Sequence, residues 1–146
     1  MAEVDVRVWT RASPEEAFRF LTQFNELPRW VANVQSAEQT TPGPVGKGTR
    51  FTQRAALLGR ELMVESEVTE YEENRLLTAT ILRGPVGGAM RWELTPERGG
   101  TRIDNRLEIT FSGMLAMLAS LAEGEARRSH IRNVETLARV LDERAR

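Results

Sequence analysis

Between Val34 and Phe111 the chain alternates apolar and polar residues in short segments, and the connections are too short to let neighbouring strands run parallel. The segments "VQSAEQT", "TRFTQRAALL", "RELMVESEVTEY", "RLLTATILR", "GAMRWELT" and "TRIDNRLEITF" are separated by "TPGPVGKG", "LGR", "EEN", "GPVG" and "PERGG". Such Gly-, Pro- and Asn-containing turns close antiparallel hairpins, whereas a parallel crossover needs about a dozen residues or more. A Rossmann-type sheet is therefore excluded, and six consecutive antiparallel strands are predicted. "EVDVRVWT" near the N-terminus adds a seventh, with Val4, Val6 and Val8 alternating against Asp5, Arg7 and Trp9. In the last strand Ile103, Asn105, Leu107, Ile109 and Phe111 share one face, and Arg102, Asp104, Arg106, Glu108 and Thr110 share the other. Met90, Trp92 and Leu94 likewise oppose Arg91, Glu93 and Thr95. One face of the sheet is thus apolar and the other solvated.

Two stretches break this period. In "SPEEAFRFL", Ser13 caps a helix, Pro14 opens it, and Glu15 and Glu16 sit in its first turn. A second short helix is predicted in "FNELPRWVANV", capped by Asn25 and limited by Pro28. After Ser112-Gly113 the spacing turns helical for about thirty residues. Ile131, Val134, Ala138 and Leu141 form a one-sided stripe in its C-terminal half, while Met114 to Ala122 is apolar almost all round. A helix of that kind is buried on several sides or faces something nonpolar. Gly124 is the expected position of a kink.

Composition narrows the function classes. The 146 residues suit a single domain, 1–146, and the net charge of −1 gives no long-range attraction to nucleic acid. There is no cysteine and one histidine, His130, so thiolate chemistry, disulfides and Cys- or His-rich metal sites are excluded, and neither metal nor cofactor is expected. "MAEVDVRVW" lacks the features of a signal peptide, and the longest apolar run is too short to span a bilayer. A cytoplasmic protein without stable membrane insertion is expected, with a homodimer left open. "PGPVGKGTRF" superficially suggests a phosphate loop, but Gly48 stands after Lys47 where Ser or Thr is needed, and the residues downstream have no helical period.

The order of strand, two short helices, six antiparallel strands and one long helix resembles the helix-grip fold of the START/Bet v 1-like (SRPBCC) superfamily, in particular its polyketide cyclase/dehydrase-like branch. "ASPEEAFRFLTQFNELPRWVANV", "GPVGKGTRF", "VTEYEENRLL" and "WELTPERGGTRIDNRLEI" carry the resemblance, which spans essentially the whole chain. It implies an α+β fold, with a seven-stranded curved antiparallel sheet wrapped around the C-terminal helix and two short helices between strands 1 and 2. In it "PGPVGKG" becomes a structural turn, where Gly46 and Gly48 allow positive φ.

The resemblance further implies a cavity between sheet and helix that admits a small hydrophobic molecule: a lipid, sterol, polyketide, quinone or aromatic. The inward wall predicted from alternation comprises Phe51, Met90, Trp92 and Leu107, with Ile109 and Phe111, joined by Met117, Leu118 and Leu121 from the helix. These residues would equally fill a solid core. Asn105, Gln53 and Ser66 on the same inward faces are the sharper signal, because buried polar groups need partners and a ligand or water would supply them. Trp30, at the rim in the related fold, is either a ligand platform or a hydrophobic plug. The arginines around His130 favour a solvated ring, and the orientation of Glu38 is undecided. No acid–base pair converges on the expected interior, so catalytic residues are not assigned. Three functions remain: hydrophobic ligand binding, cyclisation of a reactive chain in the cavity as a mould, and protein interaction through the apolar helix start.

Overall fold

The computed structural model describes residues 2–145. The elements run β1 (Ala2–Thr10), α1 (Pro14–Leu21), a 3₁₀ segment (Phe24–Arg29), β2 (Val34–Gln39), β3 (Arg50–Leu57), β4 (Arg60–Glu72), β5 (Leu76–Arg83), β6 (Val86–Glu97), β7 (Gly100–Phe111), α2 (Met114–Met117) and α3 (Ala119–Arg144). The seven strands form one antiparallel sheet in the order β1-β7-β6-β5-β4-β3-β2, so the first and last strands of the chain are neighbours.

Local chemistry explains the helix starts. The Ser13 hydroxyl accepts from the Glu16 N–H at 3.1 Å, and Pro14 follows where no donor is needed. The second helical stretch is a 3₁₀ segment with no side-chain cap. Pro28 lies inside it, and a short run tolerates the missing donor better than an α-helix does. Asn25, expected as its cap, instead accepts from the Gln39 N–H at 3.1 Å and ties the segment to β2.

The sheet curves where its ladder is interrupted. β4 carries irregularities at Glu65/Ser66 and at Val68/Glu70, and each extra residue bends the strand and increases its twist. In β6, Gly88 has φ +117°, and a Cβ there would sit 1.9 Å from the Glu108 carbonyl oxygen, so only glycine permits the close approach of β7. In the β2–β3 turn, Gly48 has φ +95°, whereas Gly46 is not in the left-handed region. That turn leads into β3, not into a helix, so it has no anion-binding geometry.

The convex face is a lattice of exposed ion pairs across strands, such as Arg106 with Asp5 and Glu3, Arg7 with Asp104, and Arg91 with Glu70. Each contributes little to stability, but together they keep that face wet. The concave face packs on α3. The buried stripe of α3 is Val134, Leu137, Ala138 and Leu141; Ile131, expected in it, is exposed. Two carboxylates fasten the helix. Asp142 accepts from the Thr10 hydroxyl at 2.7 Å and the Arg11 N–H at 2.8 Å, and Glu125 accepts from the Leu58 N–H at 2.7 Å.

The expected thirty-residue helix is interrupted at Leu118 (φ −110°, ψ 24°), not at Gly124, which lies inside α3. The break lets Leu115 plug one end of the core beside Ala122. It also turns Met117 and Leu121 outward, at 85% and 64% exposure, together with Met114 and Leu118. No helix among the described residues is long and apolar enough to cross a membrane.

Candidate functional site

The space between sheet and α3 is not filled. Two adjoining compartments of about 130 and 170 Å³ lie there, and Val31, Gln53, Ile81, Met90, Leu107, His130 and Asn133 border both. A water needs only about 10–15 Å³ by this kind of measure, so the hollow exceeds a hydration site by an order of magnitude. Its origin is a set of small side chains. Ala126 and Ser129 of α3 face Ala55 and Ala56 of β3 around one compartment, and Ala79 and Ala89 line the other.

The first compartment has aromatic walls. Phe24 stacks on Phe51 with ring centroids 3.9 Å apart, and Trp30 meets Trp92 edge-to-face at 5.7 Å. Both tryptophans are buried, which makes Trp30 part of the wall. Cross-strand register sets the remaining wall: Phe51 opposite Ser66, Ser66 opposite Ile81, Ala79 opposite Met90, and Met90 opposite Leu107. Leu62 and Val64 close the second compartment from β4.

Polar groups enter this apolar hollow at a few points. Ser66 is 3% exposed, and both it and Gln53 line the cavity without a side-chain hydrogen bond among the described residues. His130 is also inside, contrary to the expectation drawn from its arginine neighbours; it is 7% exposed and borders both compartments. It continues the helical stripe of Val134, Leu137 and Leu141 at spacings of four, three and four, while Arg127, Arg128 and Arg132 point elsewhere on the helix. Burial lowers its pKa from 6.5 to about 4, so the ring is neutral at physiological pH.

Asn105 explains how the ring is held. Its Nδ2 donates to the Arg91 carbonyl at 3.3 Å, and its Oδ1 lies 2.5 Å from His130 Nε2. A carbonyl only accepts, so the amide NH₂ must face Arg91 and the amide oxygen must face the histidine. Nε2 therefore carries the proton of the neutral ring. Asn105 itself borders neither compartment. Its polar valences are spent on the backbone and on His130, which makes it a positioning residue.

Trp30, Phe51, Gln53, Ser66, Met90, Trp92 and Leu107 thus come together around the hollow, whereas Met117, Leu118 and Leu121 do not border it. Glu38 is exposed on the edge strand β2. Asn133 joins the site without a signal in the sequence. Its Oδ1 accepts from the Ala32 N–H at 3.1 Å and its Nδ2 donates to Asn33 Oδ1 at 3.4 Å, stitching residues 31–33 to α3. Outside this seam lies an open groove of about 600 Å³ that shares Ser129 and Asn133 with the second compartment.

The family model described as "Polyketide cyclase / dehydrase and lipid transport" matches residues 1–141. The uncharacterized protein Rv1546 of Mycobacterium tuberculosis is 23% identical over 126 residues, covering 84% of this chain and 86% of that one. Among solved structures, the Zhui aromatase/cyclase from Streptomyces sp. R1128 superposes with a TM-score of 0.80 at 12% identity, covering 99% of this chain and 96% of that one. A START superfamily protein from Mycobacterium smegmatis gives 0.74 at 16% identity, with 98% and 96% covered. The structural likenesses are of fold, and that fold is the START-like helix grip.

Proposed function

The chain belongs to the family described as polyketide cyclase/dehydrase and lipid transport, and from that premise we propose that it binds a small hydrophobic molecule in the cavity between sheet and α3. The observation that carries this reading is an apolar hollow in which Gln53 and Ser66 present polar atoms that no protein group satisfies. Ser66 is buried and Gln53 half-buried, and a guest with complementary polar atoms would take the place of water at both. Shape supports the same reading, since mostly apolar walls with a few convergent polar groups typify small-molecule sites. The seam at Asn133 is the route of entry in this reading, because Ser129 and Asn133 border both the outer groove and the second compartment there.

Catalysis of cyclisation is the second reading, favoured by the buried His130–Asn105 pair. A ring whose pKa is about 4 suits acceptance of a hydrogen bond better than removal of a proton at neutral pH. Binding therefore comes first. Titration with a panel of apolar fluorophores, followed by quenching of Trp30 and Trp92 and by thermal unfolding, tests it. Saturable binding with a rise in Tm is expected, about 2.7 kcal/mol of stabilisation at a hundredfold excess over Kd. If no probe binds and Tm never moves, the reading is wrong. Turnover of a reactive poly-β-ketone that is lost in Asn105→Leu would instead promote the enzyme.

A further inference from the structure

We propose that the cavity selects neutral molecules bearing a hydroxyl donor on an apolar frame, such as phenols or alcohols, over carboxylates of the same shape, and that His130 Nδ1 accepts that hydroxyl. The inference rests on the cavity-binding reading and specifies its ligand class.

The first ground is the fixed tautomer. Asn105 is anchored through Nδ2 to the Arg91 carbonyl, so its oxygen holds the proton on His130 Nε2. The neutral ring then has a lone pair at Nδ1, and no described residue donates to it. A ring that borders both compartments with an unused acceptor calls for a donor from the guest.

The second ground is charge. Among the described residues that border the two compartments there is no Arg, Lys, Asp or Glu. The arginines of the nearby strands, Arg91 and Arg106, are committed to carboxylates on the convex face. An ionised carboxylate would lose its hydration without meeting a cation, a large penalty. The alternative, protonation of Nδ1 to create the counter-ion, is opposed by the same burial that holds the ring neutral. Gln53 and Ser66 each donate and accept, so they accommodate a second polar group without choosing its charge.

Three bicyclic probes of matched shape separate the possibilities at pH 7: naphthalene, 2-naphthol and 2-naphthoate. By calorimetry, 2-naphthol is expected to bind up to about tenfold more tightly than naphthalene, the worth of one buried neutral hydrogen bond, and 2-naphthoate at least about a hundredfold more weakly than 2-naphthol. Because His130 is the only histidine, ¹⁵N-histidine labelling reports this one ring without assignment. The free protein should show a pyridine-type Nδ1 and a pyrrole-type Nε2, and 2-naphthol, but not naphthalene, should shift the Nδ1 resonance. His130→Leu should erase the advantage of naphthol over naphthalene. Naphthalene or naphthoate binding as tightly as naphthol overturns the inference while leaving the cavity reading standing, and so does a pyrrole-type Nδ1 in the wild-type protein. Failure of all three probes to bind overturns both.

Discussion

The C-terminal helix meets the sheet in two different ways along its length. Toward its C-terminus, Val134, Leu137 and Leu141 pack solidly against the core with Phe18, Leu94 and Ile103. Toward its middle, Ala126, Ser129 and His130 face alanines and a serine across an open gap. Backbone geometry is the same in both halves, since α3 runs unbroken from Ala119 to Arg144. Side-chain volume alone separates the half that holds the fold together from the half that leaves room for a guest. Rigidity at one end lets a hollow persist at the other, because walls that cannot relax keep a void open, and the solid half offsets the stability the void costs.

The largest expected effect probes that contrast directly. Leu137 is 0% exposed, and Leu137→Ala should destabilise by about 3 kcal/mol in chemical denaturation. Leu107→Ala, at a wall already facing empty space, should cost about half as much, because Leu107 has packing partners on fewer sides. Equal losses would mean that the two halves are packed alike.

Next comes the pH dependence of the hollow half. The folded state holds His130 at a pKa of about 4, while the unfolded chain has the ordinary 6.5. Below pH 6.5 unfolding takes up a proton that the folded ring refuses, so this contribution is complete above pH 6.5 and is lost as pH falls toward 4. Its size is about 3 kcal/mol. Comparing the pH dependence of unfolding free energy for wild type and His130→Gln isolates it from the carboxylates. Parallel curves between pH 6.5 and 4 would place the ring in solvent.

A smaller effect separates the two carboxylate fastenings. Asp142→Ala should cost about 1–2 kcal/mol, because it strands the fully buried Thr10 hydroxyl as well as the Arg11 N–H. Glu125→Ala should cost less than about 1 kcal/mol, since it frees only the Leu58 N–H at a turn that water can reach. Thermal unfolding of the two variants under one condition gives the ordering.

How far these features can be read from residues alone depends on the range of the forces involved. Strand alternation and short turns are local, so the seven strands and the solvated face are legible, as is Asn105, an amide at an inward position. His130 misleads because its sequence neighbours are arginines, although its spacing from Val134, Leu137 and Leu141 already places it on the buried stripe. Met117 and Leu121 mislead for the opposite reason. Their surroundings are apolar all round, and only the backbone break at Leu118 decides which of them face inward. The Asn133 seam joins residues a hundred positions apart and leaves no local signal.

The last expected change, a gain in stability where the others are losses, is the one that ties hollow to function. Ala126 borders the compartment of about 170 Å³, so a leucine there would extend into open space without displacing a packed neighbour. Filling a void adds apolar burial, and Ala126→Leu should raise stability by about 1 kcal/mol. The same methyl groups occupy room that a ligand would need, so affinity for an apolar fluorophore should fall by about tenfold or more. Most substitutions that weaken binding do so by loosening the protein; this one should weaken binding while tightening it, a pairing of opposite signs that general destabilisation cannot produce. A variant that gains stability yet binds as well as wild type would mean that the guest sits elsewhere than in this compartment.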